Sequence, residues 1–150
     1  MTDHILKSHN KSLMLYHLVC PARYRRKIFT EAVTVSLKEV CLAIEQRYEI
    51  HFIEIGTDED HVHFLVQSVP NMLPRAIVQA IKSVTAREIF RRHPEVKRYL
   101  WGGKFWTSDY YINTVGKNGN EKVIADYVRN QGLHYTQLHH SQPTLFAGIV

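Results

Sequence analysis

The chain predicts an α+β fold of the ferredoxin-like βαββαβ kind: an antiparallel sheet with two helices on one face, followed by a further C-terminal helix. Three observations carry this reading. Apolar residues switch between a period of two and a period near 3.6. The two runs flanking "TDED" read as a hairpin. The switches come in the order strand, helix, strand, strand, helix, strand.

"SLMLYHLVC", Ser12 to Cys20, is an apolar run of strand length. A helix follows from Thr30, a good N-cap residue type, to about Tyr48, and Val33, Leu37, Val40, Cys41, Ile44 and Tyr48 form its apolar stripe. "YEIHFIEIG" is the second strand. The tight turn "TDED" leads into the third, "DHVHFLVQ", where Val62, Phe64 and Val66 alternate toward one face. A second helix from about Leu73 to Arg92 buries Ile77, Ala80, Ile81 and Val84, and "FWTSDYYINTVG" contains a fourth strand. After "KNGN" a last helix spans Glu121 to Gln131 and stops at Gly132, a residue suited to the left-handed turn that ends helices. The first 10 residues and the last 15 or so ("YTQLHHSQPTLFAGIV") are expected to be poorly ordered or docked on the rest.

At 150 residues the chain is expected to form one domain, 1–150, with its core over about 11–132. No stretch approaches the roughly 20 apolar residues of a membrane span, and "MTDHILKSHNKS" lacks the apolar segment of a signal peptide. Cys20 and Cys41 are too few and too far apart for a disulfide scaffold or a Cys-based zinc site, so buried reduced thiols are expected. A net charge of +5 and a pI near 9.3, before ten histidines are counted, suit a polyanionic partner.

Chemistry concentrates in two places. His61 and His63 share the strand face opposite Val62, Phe64 and Val66, and two converging imidazoles are a common beginning for a metal site. A third ligand is needed, and the chain offers several candidates. In "DYVRNQG", Tyr127 and Gln131 are four residues apart on the last helix and point from one face. Plainer readings are surface histidines, a packing tyrosine and a solvated glutamine. "ARYRRK" sets Arg23, Arg25, Arg26 and Lys27 around Tyr24 just before the first helix. Cations there oppose the helix macrodipole, so a phosphate partner explains them better than local stability, with Tyr24 able to stack on a base. Arg75, Gln79 and Lys82 form a second polar patch opposite the apolar stripe of the second helix.

Taken together, the motifs resemble the HUH superfamily, in particular the single-tyrosine transposases of the insertion-sequence 200/605 group, the TnpA type. The resemblance covers about Lys11 to Gly132, with "YHLVCPARYRRKIF", "IGTDEDHVHFLVQ", "LWGGKFWTSDYYINTVG" and "YVRNQG" in the family's order. It implies a metal-dependent transposase of the prokaryotic cytoplasm that cleaves and rejoins single-stranded DNA at hairpin-bearing ends through a covalent 5′-phosphotyrosine. His61 and His63 would bind the divalent metal, Gln131 would be the third ligand and Tyr127 the nucleophile. Imidazole suits Mn, while the amide oxygen and phosphate suit Mg, so Mg or Mn is expected. The basic patches would contact the DNA, and a homodimer would share its active sites in trans. A transposase associated with repetitive extragenic palindromes would share every one of these catalytic residues. The rival from another class is a non-catalytic or domesticated single-stranded nucleic-acid-binding module on the same fold. It keeps the basic patches but has no need for His61, His63, Tyr127 and Gln131 to coexist. A small-molecule metal hydrolase leaves the basic charge unexplained, and the larger His-x-His hydrolases need a barrel this chain is too short to form.

Overall fold

The structure, a computed structural model, describes residues 14–116, 126, 130 and 134–143. Among them the order is β1 (Met14–Pro21), a 3₁₀ turn (Arg23–Arg25), α1 (Glu31–Ile44), β2 (His51–Thr57), β3 (His61–Ser68), α2 (Pro74–Arg92), α3 (Pro94–Tyr99), β4 (Tyr111–Gly116) and β5 (Thr136–His140). The predicted helix over Glu121–Gln131, with Tyr127 and Gln131 on it, lies outside the described residues except at two positions. Asp126 is helical, and the Asn130 N–H donates to the Asp126 carbonyl at 3.2 Å.

The strands form one antiparallel sheet in the order β4-β1-β3-β2-β5. The predicted βαββαβ core is there, and the sheet is one strand wider than predicted. The extra strand, β5, comes from the C-terminal stretch expected to be loose or docked. Its sequence "TQLHH" has no apolar alternation, and its side chains are exposed or only half-buried. Periodicity therefore carried no signal; Leu138 packs against the core, and polar bonds hold the rest of the strand. Glu54 on β2 is fully buried and accepts from Tyr135 Oη at 2.5 Å, Gln137 Nε2 at 3.0 Å and His140 Nδ1 at 2.8 Å.

One face of the sheet packs on α1 and α2. Val62, Phe64 and Val66 of β3 join Leu18 and Cys20 of β1, Phe52 and Ile55 of β2, and the stripes Val33–Leu37–Cys41–Ile44 and Ile77–Ile81–Ile89 of the helices. A register shift between Phe52 and Glu54 lets both Phe52 and Ile55 reach this core. Without that bulge, strict alternation would put Ile55 on the opposite face. Among the described residues, the opposite face carries a small apolar cluster of Leu15, Ile53 and Leu65, with Val115 against it.

Local signals set the helix ends. Thr30 Oγ1 accepts from the Val33 N–H at 3.3 Å, the N-cap bond its position predicts. The helix closes at Ile44 rather than near Tyr48, because bonds from Gln46 N to Ala43 O and Arg47 N to Ile44 O tighten the final turn. Tyr48 still packs on the core. Cys20 and Cys41 are free and buried, and burial pushes the Cys20 thiol up to about 12. Among the described residues no helix is long and apolar enough to cross a membrane.

Thr30→Ala should lower unfolding stability by about 1 kcal/mol, and Thr30→Ser should restore most of it. Denaturant midpoints at constant m-value measure this; equal midpoints for wild type and Thr30→Ala would show that the cap contributes nothing.

Candidate metal centre and nucleic-acid surface

β3 is the central strand, and its two-residue period turns His61 and His63 onto the face away from the helices. The two Nε2 atoms stand 3.1 Å apart. His61 Nδ1 faces Asp60 Oδ1 at 2.8 Å, and His63 Nδ1 faces His17 Nε2 at 3.2 Å. One assignment of the tautomers leaves both Nε2 atoms as acceptors. With His61 donating from Nδ1 to Asp60, and His63 donating from Nδ1 to His17, both Nε2 lone pairs point into one space. Two lone pairs at that separation need a shared proton or a cation between them. Two neighbouring ligands at about 2.1 Å from a tetrahedral or octahedral ion stand about 3.0–3.4 Å apart, so the pair fits a metal.

Asp58, in the turn before β3, completes a possible set of three. One oxygen or nitrogen from each of Asp58, His61 and His63 falls within 4.8 Å of the others, and all three side chains are half-buried. Asp58 Oδ2 is 4.0 Å from His61 Nε2. Gln131, the third ligand expected from the resemblance, and Tyr127, the expected nucleophile, lie outside the described residues. The structure thus brings the two histidines together and adds a carboxylate.

Surrounding groups tune the pair. Burial, reinforced by the positive potential of His61 and His17, lowers the His63 pKa to about 4, with Asp58 opposing. Burial also lowers His17. Burial thus favours the neutral imidazole at His63, the form that binds metal. Burial pushes Asp60 upward, but the bonds from His61 and Arg25 outweigh it and hold Asp60 below the usual carboxylate range. A carboxylate behind a ligating histidine fixes the ring and raises its basicity. Arg25 in turn fixes Asp60, with Nε 2.9 Å from Oδ2.

Aromatic rings wall the site. His17 stacks on His63 with centroids 5.4 Å apart, Tyr111 meets His17 edge-on, and Tyr135 meets His63 edge-on at 5.7 Å. The Tyr135 ring lies over Gly56, where any Cβ would fall inside it, so a side chain there would displace the ring. Sequence reasoning missed His17, Asp58, Asp60, Glu54 and Tyr135. Two signals were present: His17 alternates out of phase with Tyr16, Leu18 and Cys20, and Asp60 directly precedes His61.

The basic candidates separate into three groups. Arg25 and Lys27 are engaged by acidic neighbours, with Arg25 on Asp60 and Lys27 Nζ 2.8 Å from Glu59. Arg23 and Arg26 pack on the Tyr24 ring. Arg75 and Lys82 line a cavity of about 660 Å³ beside α2, floored by Phe90, Phe105, Trp106 and Tyr110. Lys82 Nζ donates to the Thr107 carbonyl at 2.8 Å and lies over the Tyr110 ring.

A sheet of this order, bearing a histidine pair on the face away from α1 and α2, defines a class that comparison with known proteins identifies. The family model described as "Transposase IS200 like" matches residues 10–131. The chain is 32% identical to the ISDra2 transposase TnpA of Deinococcus radiodurans over 116 residues, covering 77% of this chain and 82% of the relative. It is 27% identical to the transposase for insertion sequence element IS200 of Salmonella typhimurium over 135 residues, 87% of this chain and 85% of the relative. A crystal structure of a candidate transposase from Deinococcus radiodurans superposes with a TM-score of 0.64 at 28% identity, over 79% of this chain and 91% of that one. A REP-associated tyrosine transposase solved with a REP hairpin shares the fold, with a TM-score of 0.53 at 10% identity over 77% of this chain and 62% of that one. The chain belongs to the IS200-like transposase family.

His63 has a folded-state pKa near 4, below its unfolded value of about 6.5. The unfolded chain then binds the extra proton first, so stability is full above about pH 6.5 and is lost as pH falls toward 4. In a chelating buffer, thermal midpoints should fall across that window, and His63→Gln should flatten the fall. An equally steep fall in His63→Gln would assign it to other groups.

Proposed function

We propose that this chain is a metal-dependent transposase that cleaves and rejoins single-stranded DNA at hairpin-bearing ends, with Tyr127 as nucleophile. The observation that carries the reading is the convergence of His61 Nε2 and His63 Nε2 at 3.1 Å, backed by Asp60, in a member of a transposase family. His61 and His63 would hold the metal, with Gln131 or Asp58 as the third ligand. A bound Mg or Mn would supply charge neutralisation and a template for the scissile phosphate.

The remaining work falls to the chain. Tyr127 Oη loses its proton and attacks phosphorus. The bond from phosphorus to the 3′ oxygen breaks, that oxygen takes up a proton, and the 5′ phosphate stays on the tyrosine. A 3′ hydroxyl from another DNA end then attacks the phosphotyrosine, re-forming a phosphodiester and returning the phenol. One bond is exchanged for another in each half, so rejoining needs no ATP. Water would suffice for a nuclease; a covalent tyrosine link keeps the bond energy that rejoining uses. The REP hairpin held by a protein of the same fold supports a folded single strand as the substrate.

Two copies are proposed to share their sites. β4 stands at one edge of the sheet among the described strands, where a second β4 could pair across a two-fold axis. Gly116 and Gly119 precede the predicted Tyr127 helix, and their conformational freedom allows that helix to reach a partner's histidines.

Calorimetric titration with Mn should show binding lost in His61→Ala and His63→Ala, and weakened by about 10- to 100-fold in Asp60→Ala, which removes the carboxylate behind His61 and the partner of Arg25 but keeps both imidazoles. Unchanged affinity in the histidine variants would sink the centre.

On labelled hairpin-bearing single strands with Mg, wild type should form a covalent adduct and Tyr127→Phe none. Mixing Tyr127→Phe with His61→Ala should restore about a quarter of wild-type cleavage. About half the dimers are then mixed, and each has one intact trans site. No recovery after full subunit exchange would place each tyrosine on its own chain's histidines.

A further inference from the structure

Three non-glycine residues among those described have positive φ: Tyr24 at 61°, Arg25 at 52° and Trp101 at 57°. All three belong to one small region. Bulky residues rarely adopt this conformation, and where they do the strain is usually held for a purpose.

Trp101 makes the point most sharply. α3 ends in a Schellman motif: the Gly102 N–H donates to the Lys97 carbonyl at 2.7 Å and the Trp101 N–H to the Arg98 carbonyl at 3.0 Å. The left-handed position of that motif is normally glycine, because a side chain there is strained. Here it holds a tryptophan, and the glycine comes one residue later. The indole gains no burial in return, since Trp101 is 78% exposed, against 3% for Trp106. Neither helix capping nor core packing accounts for the residue.

The surroundings supply a second, independent observation. Arg26 Cζ lies 4.7 Å from the Tyr99 ring centroid, 5.7 Å from Trp101 and 5.8 Å from Tyr24. Among the described residues no carboxylate pairs with Arg26, whereas neighbouring Arg25 and Lys27 have one each. A guanidinium held by rings and without a carboxylate partner among the described residues is placed to meet a phosphate. Tyr24 is half-exposed, and Arg23 donates to its hydroxyl at 3.0 Å.

We propose that Trp101, Tyr24 and Arg26 form a clamp for one unpaired nucleotide of single-stranded DNA. The base stacks on the exposed surface of the Trp101 indole, and its phosphate meets Arg26. Ring geometry decides against a sandwich. The Tyr24 and Trp101 centroids are 6.1 Å apart at 58°, too close and too tilted for a base, which needs two parallel spacings of about 3.4 Å. The clamp rests on the transposase reading and adds where the strand lies. Ala22 N donates to the Asp60 carbonyl at 2.8 Å, and Arg25 bonds the Asp60 carboxylate that supports His61. The turn bearing Tyr24 is thus joined directly to the end of β3 that carries the metal-centre histidine, so clamp and centre belong to one connected region.

The test is DNA binding by the full chain in EDTA, where cleavage cannot contribute. The probe is a labelled hairpin with single-stranded oligothymidine flanks, compared with the same hairpin whose flanks are abasic. Trp101→Ala should weaken binding to the thymidine-flanked probe about 5- to 150-fold and leave the abasic-flanked probe unchanged, while Trp101→Phe keeps most of the affinity. Trp101→Gly should lose the same affinity with a Tm equal to or above wild type, because glycine relieves the strained position. Equal affinity of Trp101→Ala and wild type, or equal losses on both probes, would overturn the clamp and leave the transposase reading standing. A lower Tm in Trp101→Gly would make the indole a packing residue and overturn it too. Failure of wild type to bind either probe would overturn the clamp and the transposase reading together.

Discussion

Everything in this protein hangs on the register of β3. It is the middle strand, paired along its length with β1 on one side and β2 on the other. Its side chains alternate strictly, so Val62, Phe64 and Val66 enter the helix-covered core while His61 and His63 emerge on the other face. A slip of one residue would bury both imidazoles against the helices and expose the three apolar side chains. Burial of those side chains, each worth roughly 1.5–3 kcal/mol, therefore also aims the histidines. The site inherits the rigidity of the core without sharing its residues.

Charge around the site is arranged in linked pairs. Asp60 takes Arg25 on one side and His61 on the other, and Glu59 takes Lys27. The exposed pairs contribute little stability by themselves. Their value is positional, because they bind the basic turn after β1 to the acidic turn before β3. The run "ARYRRK" thus divides by role. Arg25 and Lys27 hold the acidic turn, and Arg23 and Arg26 pack on aromatic rings.

Glu54 plays a comparable part for the C-terminal strand. A fully buried carboxylate is tolerable only with its hydrogen bonds met, and Tyr135, Gln137 and His140 meet them. That requirement draws a polar segment into the sheet and sets the Tyr135 ring over Gly56, beside His63. The wall of the candidate site is built from an electrostatic demand rather than from hydrophobic pattern.

The sequence by itself determined what depends on periodicity and nearest neighbours. Alternation placed His61 and His63 on one face, the 3.6-residue stripes placed α1 and α2, and Thr30 marked the start of α1 within one turn. These are local properties, readable because each residue's face follows from its own segment. Tertiary structure decided what depends on which segments become neighbours. His17 reaches His63 only because β1 lies beside β3, and Tyr135 does so only because β5 docks on β2. Trp101 and Tyr24 are 77 residues apart in sequence yet hold one arginine between them. No periodicity encodes such meetings, since they are fixed by strand order and by buried polar groups seeking partners across the fold.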